Sequence, residues 1–150
     1  MVVRALFSFL HFFAVFGIVA TLFTEWQTMS RTPTVIEAKR IQICDRWYGL
    51  FAVWVLIVGF LRVFYFEKGA AFYFASPFFH AKLGLFVLIG LLSIYPTIRF
   101  LKWRAPLAAG APPTVGEQEY KWIMLALRTQ LLLLLGMALC AALMARGVGV

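Results

Sequence analysis

The sequence predicts an all-α integral membrane protein, built as a four-transmembrane-helix up-and-down bundle. Of its 150 residues, 63% are hydrophobic and 13% are charged, whereas a soluble domain has about 45–50% apolar and about 25% charged residues. Four apolar stretches approach the roughly 20 residues that a membrane-spanning helix needs. They use most of the chain and leave no room for a soluble catalytic domain. Two cysteines are too few for a disulfide scaffold.

The chain is predicted to form one domain, residues 1–150, with four spans. These spans cover residues about 5–24, 47–66, 78–98 and 122–145. The first lies between the charges of Arg4 and Glu25, and it is too long for the apolar region of a signal peptide, about 7–15 residues. Arg62 and Lys82 lie near the ends of the second and third spans, where long cationic side chains reach the interface. The fourth span is interrupted by Arg128.

The predicted connections between the spans are Glu25–Arg46, Glu67–Pro77 and Arg99–Lys121. The third contains Pro106–Pro113 (PLAAGAPP), whose proline and glycine content is typical of a flexible connection. Within the third span, Gly84 and Gly90 permit close helix packing. Aromatic residues at the span ends fit the belts found at membrane interfaces: Trp26, Trp47, Tyr48, Trp103 and Trp122.

The distribution of lysine and arginine predicts the orientation, because cytoplasmic loops carry the excess of these residues. The first and third connections and their edges carry Arg31, Lys39, Arg40, Arg46, Arg99, Lys102, Arg104 and Lys121. The other side carries Arg4, Lys68, Lys82 and Arg146, with Arg62 at its edge. Both termini are therefore predicted to be periplasmic. The net charge of +8 is attributed to topology and lipid contact, and no nucleic-acid partner is expected.

The first span has a polar stripe, because its polar and small residues recur every three or four positions. The stripe contains Arg4, Ser8, His11, Ala14, Ile18, Thr21 and Glu25. The opposite surface is Phe, Leu and Val, as expected for lipid contact. We therefore expect His11 to face protein.

The second histidine, His80, lies in the third span at the same predicted depth as His11. Two imidazoles in the core of a bundle can ligate a haem iron. The absence of a C-x-x-C-H motif makes such a haem noncovalent and b-type. Two histidines without neighbouring carboxylates or cysteines are a poor zinc or copper site. The alternative is that each histidine is a core residue with a satisfied ring nitrogen.

Two cations accompany these histidines on the outer side. Lys82 points about 200° away from His80 around a regular helix, so the two cannot serve one ligand sphere. Lys82 either extends to the surface or contacts a haem propionate or a substrate carboxylate. The same alternatives hold for Arg62, at the same level.

A second polar layer is predicted nearer the cytoplasmic side. It consists of Glu25, Asp45, Arg46, Arg99 and Arg128. Because an unpaired guanidinium is costly inside a bilayer, we expect Arg128 to pair with Glu25 or Asp45. This layer is interpreted as structural. Cys44 and Cys140 fall in opposite halves of the membrane and are not expected to pair.

The segment Ser76–Arg104 (SPFFHAKLGLFVLIGLLSIYPTIRFLKWR), preceded by DRW at 45–47 and FEKG at 66–69, resembles a family of bacterial integral membrane proteins of unknown function. The resemblance covers nearly the whole chain and implies a multi-pass protein of the bacterial inner membrane. More distantly, His11 with the H-x-K element at 80–82 is similar to HemJ, the membrane protoporphyrinogen oxidase family. Here FFAVFGIVATLFTEW replaces the Trp/Gly/Pro-rich segment that follows the first histidine in HemJ. The resemblance thus implies haem or porphyrin binding more than it implies the oxidase reaction.

Together these observations predict a membrane protein that binds a b-type haem or porphyrin and has an electron-transfer or oxidoreductase role. His11 and His80 are the expected metal ligands, Arg62 and Lys82 the further cofactor-binding residues, and no catalytic residue is assigned. Candidate partners are the bilayer, a second copy of the chain, a quinone, a porphyrin or a redox partner. The alternative is a cofactor-free module for small-solute transport or complex assembly.

Overall fold

A computed structural model describes residues 1–66 and 69–148, which form helices and connections. The helices are α1 (Val2–Thr28), α2 (Val35–Leu61), α3 (Ala70–Ala75), α4 (Pro77–Lys102), α5 (Arg104–Ala108) and α6 (Glu117–Ala145). A π-helical turn, Arg62–Phe66, continues α2. Glu67 and Lys68, which belong to the predicted second connection, lie outside the described residues.

Four helical stretches are long and apolar enough to cross a membrane: α1, α2 with its π-helical turn, α4 with α5, and α6. The prediction of an all-α, four-span membrane protein is therefore confirmed.

The four long helices are arranged as two pairs. Helix α1 packs along α2, and α4 packs along α6, whereas contacts between the pairs, α1 with α6 and α2 with α4, are sparser. Helices α1 and α4 are therefore diagonal, as an up-and-down bundle requires. The looser packing between the pairs leaves space inside the bundle.

The buried face of α1 follows the predicted stripe. His11, Ala14, Ile18 and Glu25 are all buried, while Phe residues on the opposite side are exposed. Arg4 is exposed and Thr21 half-buried, so the stripe is covered only in its central part. The periodicity of the first span thus identified the face that contacts protein.

The close helix approach occurs at Gly17, and not at the predicted Gly84 and Gly90. A Cβ atom added at Gly17 would lie 2.5 Å from ring atoms of Phe51, so α1 contacts α2 closely only because residue 17 has no side chain. At Gly84 and Gly90 nothing lies within 4 Å of such an atom. Those two glycines face open space instead of a helix.

The connections are shorter and more structured than predicted. Helix α2 begins at Val35, well before Trp47, and its start is fixed by a capping box in which Thr34 and Glu37 bond reciprocally. The predicted flexible segment Pro106–Pro113 instead includes the end of α5 and buries Leu107. The remaining residues of the segment connect α5 to α6, and Leu107 and Val115 of this region join the core cluster.

Two of the predicted belt residues are also internal. Trp103 is 3% exposed and Tyr48 is 6% exposed, and both belong to the core cluster. Trp47 and Trp122 are about half exposed, and their interface position stays a prediction.

Candidate functional site

A cavity of about 1540 Å³ lies between the two helix pairs. Residues of all four long helices line it, and most of them are apolar. Ligand pockets usually measure about 300–1,000 Å³, so this cavity has room for a large ligand. Polar and charged residues lie towards its two ends. We name these the His11 end (His11, Arg62 and Lys82) and the Asp45 end (Trp26, Asp45, Tyr48, Thr97 and Arg128).

At the His11 end, the imidazole comes from the buried face of α1. His11 is 8% exposed, and it packs against α2 where Gly59 provides space. A Cβ atom at residue 59 would lie 3.4 Å from Cε1 of His11. The histidine is thus held between its own helix and α2 while it lines the cavity.

Two cations flank this histidine. Arg62 belongs to the π-helical turn after α2, and its guanidinium carbon lies 5.9 Å from the ring centroid of Phe12. Lys82 comes from α4 and interacts electrostatically with Arg62. Within residues 1–66 and 69–148, Lys82 forms no ion pair with a carboxylate. The His11 end therefore combines a buried imidazole with two cationic side chains beside a mainly apolar space.

Two methionines also line this end, and the sequence did not indicate them. Met137 and Met144 of α6 line the large cavity and a smaller one of about 120 Å³ that shares His11, Arg62 and Lys82. The two methionines are seven residues apart, so they lie on one helix face. That spacing was visible in the sequence, but it became informative only once the facing helix was known.

His80 is not brought to this cavity. Its side chain is exposed, and its Nε2 atom lies 2.9 Å from the carbonyl oxygen of Phe74, beside the ring of Phe79. The residues that line the two cavities do not include it. The structure thus brings together His11, Arg62 and Lys82 but leaves His80 on another face of α4.

The described part of the chain has no conventional metal site, since it contains no group of three or more His, Cys, Asp or Glu side chains suited to a metal ion. A haem iron needs only one or two protein ligands, because the macrocycle occupies the other positions. This finding therefore leaves the predicted haem untested. Cys44 and Cys140 are free, as expected.

At the Asp45 end, hydrogen bonds connect the two helix pairs. The hydroxyl of Tyr48 donates to Oε1 of Gln130 over 2.9 Å, which joins α2 to α6. The hydroxyl of Thr97 donates to Oδ1 of Asp45 over 2.7 Å, which joins α2 to α4. Glu25 is 2% exposed and interacts electrostatically with Asp45. Glu25 and Asp45 of the predicted polar layer thus lie together. Their layer also contains Tyr48, Thr97 and Gln130, which were not predicted to belong to it.

The predicted ion pair of Arg128 with Glu25 or Asp45 was wrong. No such pair is present among the residues that the structure describes. Arg128 is exposed on α6 and lines the same cavity as Asp45. The two opposite charges therefore line one cavity without forming an ion pair.

Comparison with known families identifies the family of this chain. Residues 3–149 match the family described as "Predicted membrane protein (DUF2214)". The chain belongs to this family. The match confirms the resemblance to a membrane family of unknown function, whereas the more distant similarity to HemJ gains no support from it. Comparisons with curated proteins and with solved structures give no match.

Proposed function

We propose that this DUF2214 protein binds a porphyrin, most specifically a b-type haem, at the His11 end of the cavity, for electron transfer or an oxidoreductase reaction. The observation that carries the proposal is a buried imidazole beside two cations at one end of a mostly apolar cavity of about 1540 Å³. A haem presents the matching chemistry: an iron for imidazole, an apolar macrocycle, and two acidic side chains. When bound, a haem would supply one-electron chemistry.

Different residues of the chain would bind the iron and the propionates. His11 is the proposed iron ligand, since imidazole is a common haem ligand and packing against α2 holds the ring in place. Arg62 and Lys82 are the proposed partners of the propionates, through charge-assisted hydrogen bonds. The two propionates of a haem carry the charge opposite to that of these side chains.

A second iron ligand has two candidates. Met137 and Met144 line the cavity beside His11, and thioether sulfur opposite histidine is an established haem ligation. His80, the second ligand expected from the sequence, would have to give up its contact with the Phe74 carbonyl and turn towards the cavity. The geometry therefore favours a methionine, while ligation by both histidines stays a prediction.

The experiment is a visible absorption spectrum of the protein expressed with ample haem and purified in detergent. The wild type should show a Soret band, and His11→Ala should remove it or convert it to a weaker, high-spin form. His80→Ala should leave the spectrum unchanged if a methionine is the second ligand. Loss of the low-spin spectrum in His80→Ala would instead support ligation by both histidines.

The contribution of the cations is tested separately. Lys82→Met keeps the length of the side chain but removes its charge, and it should lower haem affinity about tenfold or more, since charge-assisted hydrogen bonds contribute roughly 1.5–3 kcal/mol. Lys102→Met is the matched control, because Lys102 is an exposed cation at the far end of α4. Equal haem affinity of the two variants would contradict the propionate assignment.

A wild-type protein without a Soret band would refute the proposal. The cofactor-free alternative, transport of a small solute or assembly of a complex, would then be the better account. The large cavity with polar groups at both ends supports that alternative as well, and the same cavity could receive a quinone.

A further inference from the structure

The Asp45 end contains polar groups that the porphyrin proposal does not use. Arg128 forms no ion pair with a carboxylate in residues 1–66 and 69–148. The indole nitrogen of Trp26 is buried and has no hydrogen-bond partner among the same residues. Both residues line the cavity, and both side chains are hydrogen-bond donors. Two donors without acceptors inside a membrane-spanning bundle indicate that an acceptor from outside the chain belongs there.

Carboxylates lie at the same level. The bond between Tyr48 and Gln130 aligns α2 with α6, and Asp45 and Arg128 are within one turn of these two residues on their helices. Asp45 lines the cavity with one oxygen bonded to Thr97. Behind it, Glu25 adds a second carboxyl group whose Oε1 has no partner in the described part of the chain.

Opposite charges that share an apolar space attract each other strongly, because little water screens them. Arg128 and Asp45 nevertheless stay apart. A ligand that offers a negative group to Arg128 and a positive group to Asp45 would satisfy both, and neither an anion nor a cation alone would do so.

We propose that the Asp45 end binds the head of a phospholipid that carries both a phosphate and a primary ammonium group. The phosphate would accept hydrogen bonds from Arg128 and Trp26, and the ammonium would donate to Asp45. The lipid chains would occupy the apolar part of the cavity. This inference uses other residues than the porphyrin site and stands without it.

The cavity wall is open where such a lipid would enter. Phe23 of α1 and Leu132 of α6 both line the cavity, and they are 48% and 67% exposed. In a bilayer these exposed side chains contact lipid, so chains can pass sideways between the helix pairs. Arg128 lies six residues beyond Trp122, about 9 Å along the helix. The bound head group would therefore lie deeper in the membrane than the head groups of the surrounding lipids.

The test is native mass spectrometry of the full chain in detergent, titrated with phosphatidylethanolamine, phosphatidylcholine or phosphatidylglycerol. The wild type should bind phosphatidylethanolamine about tenfold more tightly than phosphatidylcholine, whose ammonium has no N–H donor. Arg128→Gln should weaken phosphatidylethanolamine binding about tenfold or more. Lys121→Gln should not, because Lys121 is exposed and pairs with Glu117 outside the cavity.

Two further variants distinguish the contribution of the ammonium group from that of the phosphate. Asp45→Asn can still accept the bond from Thr97, so it should remove the preference for phosphatidylethanolamine over phosphatidylcholine while the fold is kept. Trp26→Phe should weaken the binding of all three phospholipids by several fold. Equal binding of the three lipids by the wild type, an unchanged affinity in Arg128→Gln, or an unchanged preference in Asp45→Asn would overturn the proposal. Displacement of the lipid by equimolar free phosphoethanolamine would show that the lipid chains do not contribute to binding, and it would contradict their proposed place in the cavity.

Discussion

Gly17→Ala should destabilise the protein, because the new methyl group would collide with Phe51 across the α1–α2 contact. The added Cβ would lie 2.5 Å from the ring, whereas ordinary contacts begin at 3.4 Å, so the ring or the helix must move by almost 1 Å. Overpacking of this kind costs about 1–3 kcal/mol, while alanine in a helix gains roughly 0.5–1 kcal/mol over glycine. The net effect should be a loss of about 0–2.5 kcal/mol.

The matched control is Gly84→Ala, where the helical gain applies but nothing lies within 4 Å of the new atom. The difference between the two variants isolates the overpacking cost, which we expect to be about 1–3 kcal/mol. Reversible unfolding in mixed micelles, followed by tryptophan fluorescence and circular dichroism, measures it. In a Phe51→Ala background, Gly17→Ala should become as favourable as Gly84→Ala. Equal effects of the two alanines in the native background would refute the close approach of α1 and α2.

Two further predictions concern the Asp45 end and the orientation. Tyr48→Phe should lower the free energy of unfolding by about 1–3 kcal/mol, because it leaves the buried Gln130 amide oxygen without its donor; an unchanged free energy would mean that this bond does not hold the helix pairs together. A cysteine at the exposed position of Pro112 should react with impermeant reagents from the cytoplasmic side, as the lysine and arginine distribution predicts. Labelling of that cysteine only from the periplasmic side would reverse the predicted orientation.

The fold and one face of the site were predictable because they depend on periodicity within a single helix. The four spans follow from length and hydropathy. The burial of His11, Ala14 and Glu25 follows from their spacing along α1, since polar residues that avoid lipid must turn towards protein. These features need no knowledge of the neighbouring helices.

Relations between helices were less predictable. The sequence put Arg128 and the carboxylates at one depth, and Arg128 and Asp45 do line one cavity, but the distance between their side chains is set by how the helix pairs pack. Periodicity does not encode that distance. The sequence also showed that His80 and Lys82 cannot face the same way, and the structure turns Lys82, not His80, to the cavity. Tyr48 was interpreted as an interface residue, although its hydroxyl has a buried partner in Gln130.

The two ends of the cavity differ in the groups that they present to a ligand. At the Asp45 end, hydrogen bonds from Tyr48 to Gln130 and from Thr97 to Asp45 connect the helix pairs at one level. At the His11 end, Arg62 and Lys82 line the same space as His11. In a bilayer the apolar part between them would fill with lipid chains, because association of apolar helices gains little over contact with lipid. A specific ligand must therefore displace bulk lipid chains from the cavity. Because those chains already cover the apolar lining, apolar contacts give a specific ligand little advantage over them. Selectivity must come from the charged groups at the ends, which is why variants of Lys82 and Arg128 test the two proposals more sharply than changes in the apolar lining would.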